Sequence, residues 1–171
     1  ALLLRELDAS GVRPADIPFD ALVPALARRM DGALAAELLP GLRLGAVSAA
    51  SQRAEMAFHF QLEEASLSRV RAACAAHGDA TLVPPLAAER LHGLMTGKID
   101  LVFQHDGRFH VLDYKGNWLG ERVPDYAGPA LRAAMDHSHY RLQALLYTVA
   151  VHRFLRQRLP DYSPARHLGE Y

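Results

Sequence analysis

Apolar positions in the first half of the chain repeat with helical spacing and then with strand spacing. The chain begins on residues 2–7 with a helical pattern, and residues 10–19 have the composition of a loop. Apolar side chains three or four residues apart predict an amphipathic helix over residues 20–38. Within residues 49–62, Met56, Phe58 and Phe60 alternate with other residues, a period of two that is typical of a strand. We expect a short helix over residues 66–77.

The second half of the chain predicts a β-hairpin followed by a long helix. Two β-rich runs, at residues 91–103 and 108–114, flank His-Asp-Gly at 105–107. Asp-Gly between such runs is a strong hairpin signal. A loop over residues 116–128 leads to a proline that suits the first turn of a helix. The apolar stripe that follows predicts one helix over residues 129–158.

Length and composition indicate one ordinary globular domain. The chain has 171 residues, of which 50% are hydrophobic and 22% charged, and this is enough to bury a substantial core. No apolar run is long enough to cross a bilayer. We therefore treat residues 1–171 as a single domain. The one cysteine, Cys74, excludes an internal disulfide and a cysteine-based zinc site, and it fits a reducing cytoplasm.

The charge balance argues against a general attraction to nucleic acid. The formal net charge is zero, from 19 basic and 19 acidic residues, so a DNA substrate requires a local patch or binding by a neighbour. The only lysines are Lys98 and Lys115, and both fall in one 18-residue stretch. Because arginine does not lose its proton in proteins, lysine in an arginine-rich chain is mild evidence for a chemical requirement.

Two carboxylates and one amine come together on the predicted hairpin. Asp113 and Lys115 are two residues apart on the second strand, so their side chains leave the same face, and Asp100 lies roughly opposite Asp113 on the first strand. Mg²⁺ takes one or two carboxylates and keeps several waters. A bound metal activates water for phosphodiester hydrolysis, and a nearby lysine stabilises the developing charge. Taken alone, Asp-x-Lys is more often a surface ion pair.

Other polar residues have two interpretations each. Gln143 and Tyr147 are four residues apart on the predicted long helix and share one face, with Tyr140 near it. They form either a surface hydrogen-bonding pair or a polar ridge beside the cluster. Glu55 is a candidate additional acidic ligand. Lys98 is interpreted as a solvated side chain or a phosphate contact.

Aromatic and basic residues outside the cluster also leave two interpretations open. Trp118 and Tyr126, in the loop after Lys115, are candidates for stacking on bases, and Trp118 is equally a candidate core anchor. Arg153, Arg156 and Arg158 form either a phosphate-binding patch or a set of favourable charges at a helix C-terminus.

A resemblance to a known nuclease family covers residues from about 91 to 168. It rests on Gly97-Lys98-Ile99-Asp100, on Asp113-Tyr114-Lys115-Gly116-Asn117-Trp118-Leu119-Gly120, and on Gln143-Ala144-Leu145-Leu146-Tyr147. Together these segments resemble the C-terminal nuclease domains of RecB, the beta subunit of exodeoxyribonuclease V.

The resemblance implies an α/β fold of the restriction-endonuclease-like PD-(D/E)XK type, with a central mixed sheet flanked by helices. It also implies a site in which Asp100, Asp113 and the backbone carbonyl of Tyr114 bind Mg²⁺. In that site, Lys115 is the catalytic lysine. Gln143 and Tyr147 form the family's Q-x-x-x-Y motif near the active site.

By the same resemblance, the chain acts in an ATP-dependent helicase–nuclease of double-strand-break repair in the bacterial cytoplasm. The implied substrate is DNA, as single strands unwound from a linear duplex, and the implied partners are RecC, RecD and RecA. The family's metal-binding His near the first helix corresponds to Ala1, and the helicase motor is missing. We therefore expect a fragment trimmed at both ends, with weak or no activity in isolation.

Three alternatives remain open at this point. The first is an inactive PD-(D/E)XK fragment used for docking or scaffolding, although the intact Asp100, Asp113 and Lys115 argue against it. The second is another nuclease of the same fold, such as a Cas4-like or AddB-like enzyme. Those usually carry an iron–sulfur cluster, and one cysteine cannot supply four ligands. The third, a binding module unrelated to nucleic acid, leaves the acidic cluster unexplained.

Overall fold

The computed structural model describes residues 18–85 and 87–169, apart from the side chain of Phe19. The predicted helix over residues 2–7, most of the predicted loop over 10–19, and Ala1 lie outside these ranges. Contacts within the chain divide it into two compact units, Ala1–Ser48 and Ala49–Tyr171.

In the first unit, a helix precedes a small hairpin. Helix α1 spans Phe19–Ala35. Antiparallel strands β1 (Glu37–Leu39) and β2 (Leu42–Arg43) follow it. The predicted helix over residues 20–38 is therefore confirmed as far as Ala35. Its last predicted residues form β1 instead, because Ala36 has the extended backbone angles φ −62° and ψ 139° and ends the helix.

Three antiparallel strands form the sheet of the second unit, in the order β3–β4–β5. They span Gln52–Ser66 (β3), Arg90–His105 (β4) and Arg108–Leu112 (β5). The predicted strand over residues 49–62 is confirmed with a later start, since Ala49–Ser51 form a 3₁₀ turn.

The predicted hairpin is confirmed, with a turn of two residues. His105 pairs with Arg108 across the turn. The turn residues Asp106 and Gly107 have φ values of 48° and 76°. Positive φ at both central residues is the turn geometry that Asp-Gly favours, because its twist matches that of the flanking strands.

Strand β5 is two residues shorter than predicted. The backbone N–H of Tyr114 donates to the side-chain carboxylate of Asp100 at 2.8 Å, so it is not available to a backbone carbonyl of β4. Backbone pairing therefore ends at Leu112, which pairs with Leu101. The expectation that Asp113 and Lys115 lie on the second strand was wrong. Both residues follow its last residue, Leu112.

Helices of the second unit follow β3 and β5 in the sequence. Helix α2 spans Leu67–Ala76 and confirms the helix predicted over residues 66–77. Its first turn is capped by the Ser66 hydroxyl, which accepts from the backbone N–H of Arg69 at 3.3 Å. The short helix at Pro164–His167 near the end of the chain was not predicted from the sequence, and we label it α5.

The single helix predicted over residues 129–158 is two helices. Helix α3 spans Gly128–His137 and helix α4 spans Tyr140–Arg156. Between them, His139 adopts a left-handed conformation with φ 54° and ψ 28°. A residue in that region cannot continue a right-handed helix, so the chain changes direction there.

The core of the second unit lies between the sheet and helix α4. Its buried members come from β3, β4 and α4: Met56, Ile99, Val102, Ala150, Val151 and Leu155. Apart from Ala150, each of these side chains contributes about 1.5–3 kcal/mol when it is fully removed from water. Partly buried aromatic side chains, Phe58 and Tyr147 among them, pack against this cluster. One face of α4 is thereby fixed against the sheet.

The mixed α/β fold is confirmed. The pairings among the named strands are antiparallel, and an isolated parallel bridge joins Phe109 to Leu168. The backbone N–H of Gly169 also donates to the carbonyl of Phe109 at 2.9 Å. None of the helices in the described ranges is long and apolar enough to cross a membrane.

Candidate active site

The hairpin brings Asp100 and Asp113 to neighbouring positions. Leu101 pairs with Leu112, and one further step in this register places Asp100 opposite Asp113. The preceding residue on β4, Ile99, is fully buried in the core. Alternation along the strand therefore turns Asp100 to the other face of the sheet. The side chain of Asp113 is only 17% exposed, so both carboxylates lie at a partly buried strand end.

Asp100 also orders the backbone of its neighbours. Its Oδ2 accepts the N–H of Tyr114 at 2.8 Å. This hydrogen bond holds the carboxylate of Asp100 against the peptide group that joins Asp113 to Tyr114. Tyr114 is 60% exposed. Its side chain is therefore not packed into the core, and its backbone is the part that lies close to the two carboxylates.

Three contacts hold the amine of Lys115. Its Nζ forms an ion pair with Oδ2 of Asp113 and donates to Oε1 of Gln143 at 2.6 Å. It also lies 4.1 Å from the centroid of the Tyr140 ring, a cation–π distance. A lysine that is fixed in this way loses about 1.5–2 kcal/mol of side-chain entropy. Three partners are therefore needed to hold it.

Gln143 is itself oriented by Tyr147. Its Nε2 donates to the Tyr147 hydroxyl at 2.8 Å, which leaves Oε1 to face Lys115. The ring of Tyr147 packs edge-on against Phe58, with 5.8 Å between the centroids. The sequence left open whether Gln143 and Tyr147 are a surface pair or a ridge beside the cluster. The contacts favour the ridge.

The first two turns of α4 present polar side chains toward Lys115. Tyr140, Gln143 and Tyr147 are spaced three and four residues apart within this helix and therefore share one face. The Tyr140 hydroxyl donates to Oδ1 of Asn117 at 2.8 Å. The sequence analysis assigned Tyr140 no role of its own, although its helical spacing was a usable signal. It also gave Asn117 no role, and no signal there would have revealed one.

Gly97 is a further residue whose role the sequence did not show. It pairs with Phe58 in the register of β3 and β4. A Cβ on Gly97 would lie 2.5 Å from Cζ and 2.7 Å from Cε1 of the Phe58 ring. The absence of a side chain thus lets Phe58 lie across β4 and support Tyr147.

Glu55 and Lys98 pair with each other on the protein surface. The Lys98 amine lies 2.7 Å from Oε2 of Glu55, and both side chains are at least 60% exposed. The hydrogen bond that the Lys98 ammonium donates to Glu55 raises the pKa of Lys98 above its ordinary value. The charge of Glu55 raises it next, and the charge of Asp100 makes a smaller contribution. The register of β3 and β4 places Glu55 across from Asp100, but its carboxylate is paired with Lys98 and is not a free ligand.

Two of the three arginines near the end of α4 make local contacts. Arg153 lies over the Phe60 ring at 5.0 Å, and Arg158 lies over the Phe154 ring at 3.8 Å. Arg158 also donates to the carbonyl of Phe154 at 3.4 Å. Only the bond from Arg158 to the Phe154 carbonyl is a contact of the helix-end kind, and the two interpretations of this group stay open.

The loop that follows Lys115 carries an exposed tryptophan. Trp118 is 73% exposed, which excludes the interpretation of this residue as a core anchor. Tyr126, in the same loop, is 40% exposed.

The oxygen atoms at the strand end fit a hard divalent cation. Oδ2 of Asp113 is buried, and within the described part of the chain its one partner is the Lys115 ammonium. No group of three or more His, Cys, Asp or Glu side chains able to hold a metal lies within residues 18–85 and 87–169. The donor set is thus two carboxylates and nearby backbone oxygens. Mg²⁺ typically takes one or two protein carboxylates and keeps its remaining waters.

Comparisons with known proteins agree with this geometry. The family described as the PD-(D/E)XK nuclease superfamily matches residues 3–167. The chain is 40% identical over 131 residues to the RecBCD enzyme subunit RecB of Escherichia coli K12, which covers 75% of this chain and 11% of that protein.

Two further relatives with the same description are similar over about half of the chain. The subunit of Haemophilus influenzae is 46% identical over 84 residues, covering 49% of this chain and 7% of that protein. The subunit of Mycobacterium tuberculosis H37Rv is 53% identical over 85 residues, covering 49% of this chain and 8% of that protein. The chain thus spans at most 11% of the length of these relatives.

Proposed function

The chain belongs to the PD-(D/E)XK nuclease superfamily, and we propose that it is the DNA-cleaving module of a RecB-type helicase–nuclease subunit. Nucleases of this superfamily generally use divalent metal ions, and we propose Mg²⁺ here. The observation that carries the proposal is the contact between Lys115 and both Asp113 and Gln143, directly beside Asp100. This arrangement combines metal-binding oxygens with a held cationic side chain.

The residues present fit a metal-dependent hydrolysis of phosphodiester bonds. Asp100, Asp113 and the carbonyl of Tyr114 would hold the cation. When bound, such an ion polarises the phosphate and lowers the pKa of the attacking water.

Lys115 supplies the charge that the protein itself contributes to the reaction. Its ammonium donates hydrogen bonds to the phosphate oxygens, or to the water, as negative charge develops. Gln143 keeps that ammonium at the strand end, and Tyr147 keeps the Gln143 amide in the orientation that the lysine needs. Gln143 and Tyr147 are therefore positioning residues.

We also propose the setting in which this module works. The relatives are described as subunits of the RecBCD enzyme, which supports RecC and RecD as partners and DNA as the substrate. We further propose that the protein takes part in loading RecA and acts in the bacterial cytoplasm. The zero net charge suits a module to which a neighbour delivers single strands. Because the family match runs over residues 3–167, we treat the chain as one nuclease domain.

The test is cleavage of end-labelled linear single-stranded DNA with Mg²⁺, by the full-length protein that contains this chain. The variant is Asp113→Asn, which keeps the shape of the side chain and removes its charge. The matched control is Asp161→Asn, because Asp161 is 72% exposed and pairs with Arg166. We expect Asp113→Asn and EDTA each to abolish cleavage, and the control to leave it unchanged.

Equal cleavage by the Asp113→Asn and Asp161→Asn variants would contradict the assigned site. No metal-dependent cleavage by the unaltered protein would contradict the nuclease assignment and favour the scaffolding alternative. We expect the isolated 171-residue chain to show weaker activity than the full-length protein.

A further inference from the structure

An exposed aromatic side chain lies on the loop that directly follows the catalytic lysine. We call residues 116–127 the Trp118 loop. Trp118 is 73% exposed and Val123 is 87% exposed. Full burial of a large apolar side chain contributes about 1.5–3 kcal/mol, and most of this is absent for Trp118. A large aromatic ring that is left exposed beside an active site is a candidate for stacking on a ligand.

Hydrogen bonds hold the backbone on both sides of Trp118. On one side, the Asn117 side chain accepts from the Tyr140 hydroxyl at 2.8 Å. On the other, the backbone N–H of Leu119 donates to the Tyr126 hydroxyl at 3.3 Å. The indole is therefore presented from a fixed backbone even though it is itself exposed.

The second half of the loop is closed by Asp125. Its carboxylate accepts the backbone N–H of Arg122 at 3.0 Å and a guanidinium N–H of the same residue at 3.1 Å. A Cβ on Gly120 would lie 2.7 Å from Cβ of Asp125 and overlap its carboxylate. Glycine at position 120 thus allows the loop to close on itself.

The loop is coupled to the active site through one aromatic ring. Tyr140 bonds Asn117 through its hydroxyl and covers the Lys115 amine with its ring face. Asn117 is the direct neighbour of Trp118 in the chain. The position of the indole is therefore tied to the position of the lysine that acts on the phosphate.

We propose that Trp118 binds an unpaired DNA base by stacking, next to the phosphate to be cleaved, so that the Trp118 loop selects single strands over duplex. This inference rests on the proposed nuclease function. A base face is available for stacking only when the base is not enclosed in a duplex, and base–aromatic stacking tolerates any sequence.

Charge on the Trp118 loop is not what would attract a nucleic acid strand. The Arg122 side chain is 79% exposed, but its guanidinium is paired with Asp125, and Glu121 adds a further negative charge. With no overall positive charge on the chain, stacking supplies affinity that long-range electrostatics does not.

The test uses the fluorescence of Trp118, the only tryptophan in the chain. The probe is a single-stranded oligothymidylate, added to the 171-residue chain without divalent metal so that no cleavage occurs. We expect saturable quenching of the indole. A blunt duplex of the same length should quench less and bind more weakly.

Variants of the loop separate stacking from general effects. Stacking is worth about 1–3 kcal/mol per base, so Trp118→Ala should weaken single-strand binding about 5- to 150-fold, measured by anisotropy of a labelled oligonucleotide. Trp118→Phe should retain most of the affinity. Val123→Ala is the matched control, because Val123 lies on the same loop and is even more exposed than Trp118; this variant should bind like the unaltered chain. The preference for single strands should disappear in Trp118→Ala alone.

Several outcomes would overturn the inference. These are an indole that DNA does not quench, unchanged affinity in Trp118→Ala, or a preference for single strands that survives that substitution. If those results appear while cleavage by the full-length protein still depends on Asp113, the proposed nuclease function stands and only the role of Trp118 fails. Quenching and stacking without any metal-dependent cleavage would support Trp118 binding and contradict the nuclease assignment.

Discussion

Gly97→Ala tests whether the Phe58 ring requires a glycine opposite it. The two residues pair across β3 and β4. A new Cβ would lie 2.5 Å from Cζ of the ring, well inside the distance of about 3.5–4.0 Å at which carbon atoms attract. The ring would therefore have to retreat by about 1 Å or more. It stacks on Phe60 and meets Tyr147 edge-on, so its movement disturbs both contacts.

The size of the effect follows from two opposing terms. Overpacking of this kind costs about 1–3 kcal/mol. Replacement of glycine by alanine also restricts the unfolded chain, which returns about 0.4–1 kcal/mol. We expect a net loss of about 1 kcal/mol in the free energy of unfolding, and at most about 2.6 kcal/mol.

The assay is equilibrium unfolding in urea followed by circular dichroism, because the exposed Trp118 reports poorly on the core. Gly116→Ala is the matched control: no atom lies within 4 Å of its added Cβ, so it should be neutral or slightly stabilising. In a Phe58→Leu background the ring is gone, and Gly97→Ala should then cost nothing. The coupling between the two sites should be about 1 kcal/mol, above the scatter of about 0.3–0.5 kcal/mol expected for independent sites.

Additive effects of Gly97→Ala and Phe58→Leu would refute this reasoning. So would a Gly97→Ala chain that is as stable as the unaltered one. Either result would mean that the ring moves aside without cost and does not link β4 to Tyr147.

Three other changes have defined outcomes. Gln143→Ala removes an acceptor of the Lys115 ammonium, and this hydrogen bond contributes about 1.5–3 kcal/mol. The kcat for DNA cleavage should therefore fall about 10- to 150-fold with little change in KM, and Gln143→Glu should restore part of the lost kcat. A change in KM alone would indicate that Gln143 contacts the substrate instead. Gly107→Ala forces a side chain into φ 76° and should lower the free energy of unfolding by about 1–2 kcal/mol; unchanged stability in urea would contradict the turn geometry. Gly169→Ala would place a Cβ 2.8 Å from Cγ of His110 and should destabilise by about 1–3 kcal/mol, while a neutral result would show that the end of the chain does not pack there.

The hairpin and its two carboxylates were predictable because their signals are local. The Asp-Gly dipeptide sets a two-residue turn, and the turn sets the register. From that register it follows that Asp100 and Asp113 are opposite each other. The early end of β5 was not predictable, because it depends on a hydrogen bond between Tyr114 and a side chain 14 residues away.

The division of the predicted long helix had no sequence signal. Glycine, asparagine and aspartate are the usual residues in the left-handed conformation, but His139 occupies it here. The helical pattern of apolar residues continues across the break, so periodicity alone predicts one helix. The spacing of Tyr140, Gln143 and Tyr147 indicates a shared helix face with or without the break, so the break itself is the feature that required the structure.

The exposure of Trp118 also required the structure. An indole is a strong candidate for a core from composition alone, and the choice depends on whether another element covers it. The hydrogen bonds of Asn117 and Leu119 hold the backbone of the loop, and the ring between them stays 73% exposed.

The two lysines offer the most direct measurement of the assigned chemistry. Lys115→Gln and Lys98→Gln each remove one positive charge, but Lys98 is paired with Glu55 and 60% exposed, whereas Lys115 is held by Asp113 and Gln143. We would measure single-turnover cleavage of labelled single-stranded DNA with Mg²⁺ by the full-length protein. We predict a loss of about 10²- to 10³-fold for Lys115→Gln and less than about tenfold for Lys98→Gln. Equal rates for the two variants would contradict the assignment of Lys115 as the catalytic lysine.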